Sequence, residues 1–181
     1  PIMVVGDRVA QSGAVDQVVR VAEQLGARVY AAAFSEVNFP TSHPLYCGML
    51  NLSSPAARQQ LAGADVVLAV GTNVFSSFLY VPEPFLSPNT RLIHLDCNAW
   101  EVEKIYPTEV GVLADPRAGL EELAEALDQD LSASARETAA TRNASLAEER
   151  RRADAAYQRR EARQLRRVGI EPIAGVDEAG R

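Results

Sequence analysis

Three short stretches, PIMVV at 1–5, ARVYAAAF at 27–34 and ADVVLAV at 64–70, are almost unbroken runs of apolar residues. Side chains alternate between faces along a strand, so a run that is apolar at both parities buries both faces. Strands of that kind belong to parallel sheets sandwiched between helices. This restricts the chain to an α/β architecture before any motif is considered.

The intervening segments supply the helices. In SGAVDQVVRVAEQL (12–25), Ala14, Val18, Val21, Ala22 and Leu25 recur at helical spacing, with Ser12 read as the N-cap and Gly26 as the stop. SPAARQQLAGA predicts a short helix capped by Ser54 with Pro55 at its first position. The long connection NVFSSFLYVPEPFLSPNT is read as part helix. RLIHLD (91–96) is a further strand, AWEVEKIY a turn or short helix, and EVGVLAD the last strand. DPRAGLEELAEALDQ closes the series as a helix with Pro116 at its first position and acids in its first turns. The expectation is a doubly wound parallel sheet over residues 1–130.

Residues 131–181 differ in kind. The stretch 133–167 is rich in Ala, Arg and Glu and nearly free of large apolar residues, with Leu146, Tyr157 and Leu165 as exceptions. It is read as a long exposed helix serving as a connector. The charge divides at the same point: residues 1–130 hold 7 Lys/Arg against 16 Asp/Glu, and residues 131–181 hold 11 Arg against 8 acids. An acidic body without a basic face argues against a nucleic-acid partner. No apolar run is long enough to span a bilayer, and two cysteines are too few for a disulfide framework, which points to a reducing, cytoplasmic setting. The opening at Pro1 suggests a segment of a longer polypeptide.

Two His/Cys pairs raise the question of a metal or a nucleophile: His43 with Cys47, and His94 with Cys97. His94 and Cys97 lie an odd number of positions apart on a strand and so face opposite ways. Cys47 has no evident orienting base. Cys97 is read as a small buried apolar residue. At the strand ends, VVGDRVAQSGA lacks the G-x-G-x-x-G spacing of a dinucleotide turn. What remains is convergence of strand C-termini with helix N-termini, which makes Gly6, Asp7, Gly71, Thr72, Asn73, Asp96 and Asp115 the candidate ligand-binding residues.

The order and wording of four segments resemble the middle domain of thiamine-diphosphate-dependent enzymes, with most likeness to the benzoylformate decarboxylase branch. They are GDRVAQSGAVDQVVRVAEQLGARVY (6–30), FPTSHPLYCGML (39–50), ADVVLAVGTNVF (64–75) and RLIHLDCNAWEVEKIYPTEVGVLADPRAGLEEL (91–123). The resemblance implies a Rossmann-like, nucleotide-binding-type domain with a helical linker after it. It makes FPTSHPLYCGML a loop after the second strand, in which His43 and the prolines shape a turn.

In that family, thiamine diphosphate and Mg²⁺ sit between a pyrimidine-binding and a pyrophosphate-binding domain. The resemblance therefore implies a non-catalytic scaffold whose partners are those two domains and whose parent enzyme is a homo-oligomer. Relatives with FAD carry a GARFDDR-like run where this chain reads GTNVFSSF, so FAD is not expected. An ADP-type ligand stays open, with Asp96 and Asp115 as ribose or adenine contacts, and a stand-alone adenylate-binding module is the alternative. The end IAGVDEAGR (173–181) resembles the opening of type 2 ribonuclease H, with Asp177 and Glu178 in its metal-binding positions, but too little follows to build such a site.

Overall fold

The computed structural model describes residues 1–32, 36–52, 55–75 and 82–167. Six parallel strands form one sheet: β1 (Ile2–Val5), β2 (Arg28–Ala32), β3 (Tyr46–Leu50), β4 (Val66–Val70), β5 (Arg91–Asp96) and β6 (Val110–Leu113), in the order β3-β2-β1-β4-β5-β6. The chain starts in the middle, winds outward to β3, then crosses back to β4 on the other side of β1. The doubly wound fold is thus present, and its reversal of strand order falls between β1 and β4.

The apolar runs behave as their composition requires. Met3 and Val5 of β1 join one core with Val29, Leu68, Val70 and Leu95. Ile2 and Val4 join the opposite core with Val67, Ala69 and Leu92. Helices α2 (Val15–Leu25), α4 (Pro116–Asp130) and α5 (Ala133–Arg167) cover the first face through Val18, Val21, Leu120, Ala124 and Leu146. Helix α3 (Pro55–Leu61) and the 82–86 segment cover the second through Ala57, Leu61, Phe85 and Leu86.

Several local expectations need correction. Ser12 does not cap α2: it ends a short preceding helix α1 (Asp7–Gln11), and its Oγ donates back to the Arg8 carbonyl oxygen at 2.8 Å. Ala14 takes the N-cap position of α2. The hydroxyl thus satisfies a carbonyl at a helix end rather than amides at a helix start. Gly26 does end α2, with φ +59°, and the Ala139 carbonyl oxygen of α5 would lie 2.7 Å from any Cβ there. Residues 46–50 form a strand, β3, not part of a loop; His43 turns the chain into it by accepting the Leu45 N–H at Nδ1. Cys97 is exposed, because β5 ends at Asp96. The first turn of α4 carries no acid; Asp115, just outside it, caps the helix instead.

Helix α5 runs unbroken for 35 residues. Its first half rests on α2: Ala139 and Leu146 are buried, and Asn143 donates to the Glu23 carbonyl at 2.8 Å. Arg28 and Glu149 pair at 2.8 Å, and Arg150 donates to the Thr41 and Tyr46 carbonyl oxygens. Ser54, residues 76–81 of the 73–90 connection read as part helix, and Asp177 with Glu178 lie outside the described residues; the described parts of that connection, 73–75 and 82–90, hold no helix.

Candidate functional site

In an open parallel sheet, ligands bind at the carboxyl ends of the strands where the order reverses. Here that crevice is bounded by the β1–α1 turn and the β4 exit. Gly6 N–H donates to the Val70 carbonyl at 3.0 Å and Arg8 N–H to the Gly71 carbonyl at 3.2 Å, so the two loops are tied backbone to backbone. Their approach is close: a Cβ on Gly6 would lie 2.6 Å from both the Gly71 carbonyl oxygen and Thr72 Cβ. Gly71 sits at φ +57° with the Arg8 backbone against it, a conformation that favours glycine. The two glycines therefore make room for each other.

Arg8 reaches across the crevice. Its Nη2 donates to Asn73 Oδ1 at 3.0 Å and to Asp96 Oδ2 at 2.7 Å. Asp96 is fully buried and takes a second N–H, from Asn98, on Oδ1 at 2.8 Å. His94, two residues earlier on the same face of β5 and also fully buried, places Nε2 3.1 Å from the Thr72 carbonyl and 3.4 Å from Asp96 Oδ2. Burial works against the Asp96 carboxylate, but the bonds from His94, Arg8 and Asn98 outweigh it and hold its pKa below the usual carboxylate range. Beside the loop, Phe75 adopts φ 56°, and its buried ring packs against Phe85 and edge-on against Tyr106.

Of the seven candidate residues, Gly6, Gly71, Thr72, Asn73 and Asp96 come together in this cluster. Asp7 lies at its rim, accepting the Glu36 N–H on its carboxylate at 2.7 Å. Asp115 follows β6 two strands away from β4 in the sheet, and its carboxylate caps α4 through the Arg117 and Ala118 N–H groups. Arg8 and His94 organise the cluster, yet neither stood among the candidates. The available signals were an Arg directly after a strand-ending Gly-Asp and a His at i−2 from a strand-ending Asp, hence on the same face. Among the described residues, no three His, Cys, Asp or Glu side chains gather in a way that could hold a metal ion. No helix among them is long and apolar enough to cross a membrane.

Comparison with known proteins places this geometry. A family model described as thiamine pyrophosphate enzyme, central domain, matches residues 1–123. The sulfoacetaldehyde acetyltransferase of Castellaniella defragrans is 36% identical over 132 residues, which cover 71% of this chain and 22% of that protein. A probable acetolactate synthase large subunit of Methanocaldococcus jannaschii is 28% identical over 128 residues, 70% of this chain and 22% of that protein.

Among solved structures, the thiamine diphosphate-dependent 4-hydroxybenzoylformate decarboxylase of Rhodococcus jostii RHA1 superposes with a TM-score of 0.63 at 32% identity, covering 70% of this chain and 24% of that one. The benzoylformate decarboxylase of Polynucleobacter necessarius gives 0.62 at 26% identity, covering 69% of this chain and 24% of that one. The chain thus spans about a quarter or less of the length of these relatives. With its strand order, two-faced core and family match over most of its length, the chain belongs to the thiamine pyrophosphate enzyme central-domain family.

Proposed function

We propose that the chain serves as the non-catalytic central scaffold of a thiamine-diphosphate-dependent enzyme acting on a 2-oxo acid or related substrate, of the decarboxylase or lyase type. Thiamine diphosphate and its magnesium ion would be held by pyrimidine- and pyrophosphate-binding domains of the same polypeptide, in a homo-oligomeric, cytoplasmic enzyme. Among the described residues, no three His, Cys, Asp or Glu side chains gather to hold the magnesium ion, which supports placing it in the neighbouring domains. The role assigned to this chain is to set the spacing and orientation of its neighbours.

The observation that carries this reading is the Arg8 bridge to Asn73 and Asp96. A nucleotide at a switch point needs free backbone N–H groups and a carboxylate for the ribose. Here Gly6 N–H and Arg8 N–H are bonded to the β4 exit, and Asp96 is engaged by Arg8, His94 and Asn98. Asp7 also places a negative charge at the first turn of α1, where a phosphate would otherwise gain from the helix end. Asp115, the other carboxylate considered for an adenylate, caps α4.

Isothermal titration of the purified chain with ADP, FAD and Mg²⁺–thiamine diphosphate provides the test. No heat of binding up to millimolar ligand is the expected result. Micromolar affinity for ADP or FAD would replace the scaffold with an adenylate-binding module, and micromolar affinity for thiamine diphosphate would return the cofactor to this domain.

A further inference from the structure

The crevice occupies the carboxyl ends of the strands, and a second concavity lies at their amino ends. It opens where β1 and β2 begin, between the end of α3 on one face of the sheet and the first half of α5 on the other. It encloses about 350 Å³, at the small end of the ~300–1,000 Å³ usual for ligand cavities. Ile2 of one core and Leu146 of the other, both buried, give it an apolar wall. Arg28, Gln59, Gln60, Arg142 and Ser145 supply its polar groups.

Charge sets this groove apart. No carboxylate lines it, although residues 1–130 hold 16 Asp/Glu against 7 Lys/Arg. Arg28 is neutralised by Glu149, whose two oxygens lie 3.1 and 2.8 Å from its Nη2, and the amino group of Pro1 by Asp65 at 3.3 Å. The Arg142 guanidinium has neither hydrogen bond nor ion pair to the described residues. Its stem rests on the α2–β2 turn, where a Cβ on Gly26 would lie 3.0 Å from Arg142 Cβ. The side chains of Gln59, Gln60 and Ser145 are likewise without a partner among the described residues. One uncompensated guanidinium, with amides and a hydroxyl beside an apolar wall, suits a singly charged carboxylate on an apolar body. A phosphate, carrying close to a second charge, would find one cation too few.

We propose that this groove binds a small organic monocarboxylate, its head on Arg142 and its apolar body against Ile2 and Leu146. Such a ligand touches β1 and α3 on one side and α5 on the other, so its occupancy fastens α5 to the body. Groove and crevice lie at opposite ends of the strands, which makes this binding separate from the scaffold role.

Benzoate and hexanoate are the probes, with uncharged benzamide and hexanamide and inorganic phosphate for comparison. On titration of the full chain with either acid, backbone amide NMR shifts should move at residues 59–64 and 142–146 and saturate in the low-millimolar range or below. Those of Gly6, Gly71 and Asn98 at the crevice should stay fixed. The melting temperature should rise with acid concentration, as linkage requires. The amides and phosphate should bind at least tenfold more weakly. Arg142→Gln, at an exposed position, should weaken both acids at least tenfold and leave the ligand-free melting curve unchanged. Ser145→Asp, which sets a carboxylate in the groove, should weaken them as well, and Arg159→Gln, on the far half of α5, should not. Absence of shifts at 59–64 and 142–146 would overturn the proposal. So would amides or phosphate binding as tightly as the acids, or undiminished binding by Arg142→Gln.

Discussion

Asp96 combines complete burial with three N–H partners, a combination that leaves a pH signature. A carboxylate held ionised by the fold has a lower pKa folded than unfolded, so protonation favours the unfolded chain. Its contribution is fully present above the unfolded carboxylate pKa of about 4 and is lost as the pH falls through the lower folded value. Urea midpoints measured from pH 7 down to pH 2 should therefore show an acid limb that Asp96→Asn makes shallower, the remainder belonging to Asp65, Asp128 and Glu148, which are also held below the usual carboxylate range. At pH 7 the same substitution should cost about 3–5 kcal/mol, because it strands the Arg8 guanidinium without its anion. An acid limb of unchanged depth in the variant would mean that Arg8, His94 and Asn98 do not act on Asp96 as a unit. Arg8 escaped notice in the sequence because an isolated arginine after a turn usually points to solvent. Only the return of β4 beside β1, with β5 next to β4, supplies its two acceptors.

Among the elements, α4 was predicted in place and register because its start is written locally: Asp115, then Pro116, then an apolar stripe. Replacing Asp115 by Ala should lower stability by about 1 kcal/mol, and Asp115→Asn or Asp115→Ser should recover most of it. Recovery by Asn and Ser is the diagnostic outcome, since a ribose-binding carboxylate would show no stability rescue. Thermal melts of the three variants decide between these roles. β3 was missed for a reason equally local: Tyr46–Leu50 contains Gly48 at φ +103° and follows two prolines, a composition that reads as loop. It becomes a strand because β2 offers an unpaired edge, and the irregular register between Val29 and Ala31 accommodates its glycine. Ser12 shows the same ambiguity at one position, since a hydroxyl before an apolar stripe can cap the next helix or close the previous one.

For the molecule as a whole, α5 divides into a half that belongs to the body and a half that does not. Truncation after Asp154 should leave the melting temperature unchanged, because residues 155–167 make no hydrogen bond or ion pair with the other described residues. Truncation after Leu131 should lower it markedly. That cut takes α5 away from Gly26 and Glu23 at the end of α2 and deletes Leu146, whose loss alone would cost about 2–5 kcal/mol were it a typical core leucine. Circular-dichroism melts of the two truncations check both halves of the statement, and equal effects would contradict the division.

The sequence by itself determined the fold class, because strands apolar on both faces can be buried only between two helical layers. It also determined the family, through the order of segments spread over the length of the body, and the helix ends whose signals lie within a few residues. The tertiary structure alone decided which polar groups meet at the crevice, that 46–50 joins the sheet, and which half of α5 is held. Each of those depends on partners tens of residues away. The energies of burial and hydrogen bonding there belong to pairs that no local pattern encodes.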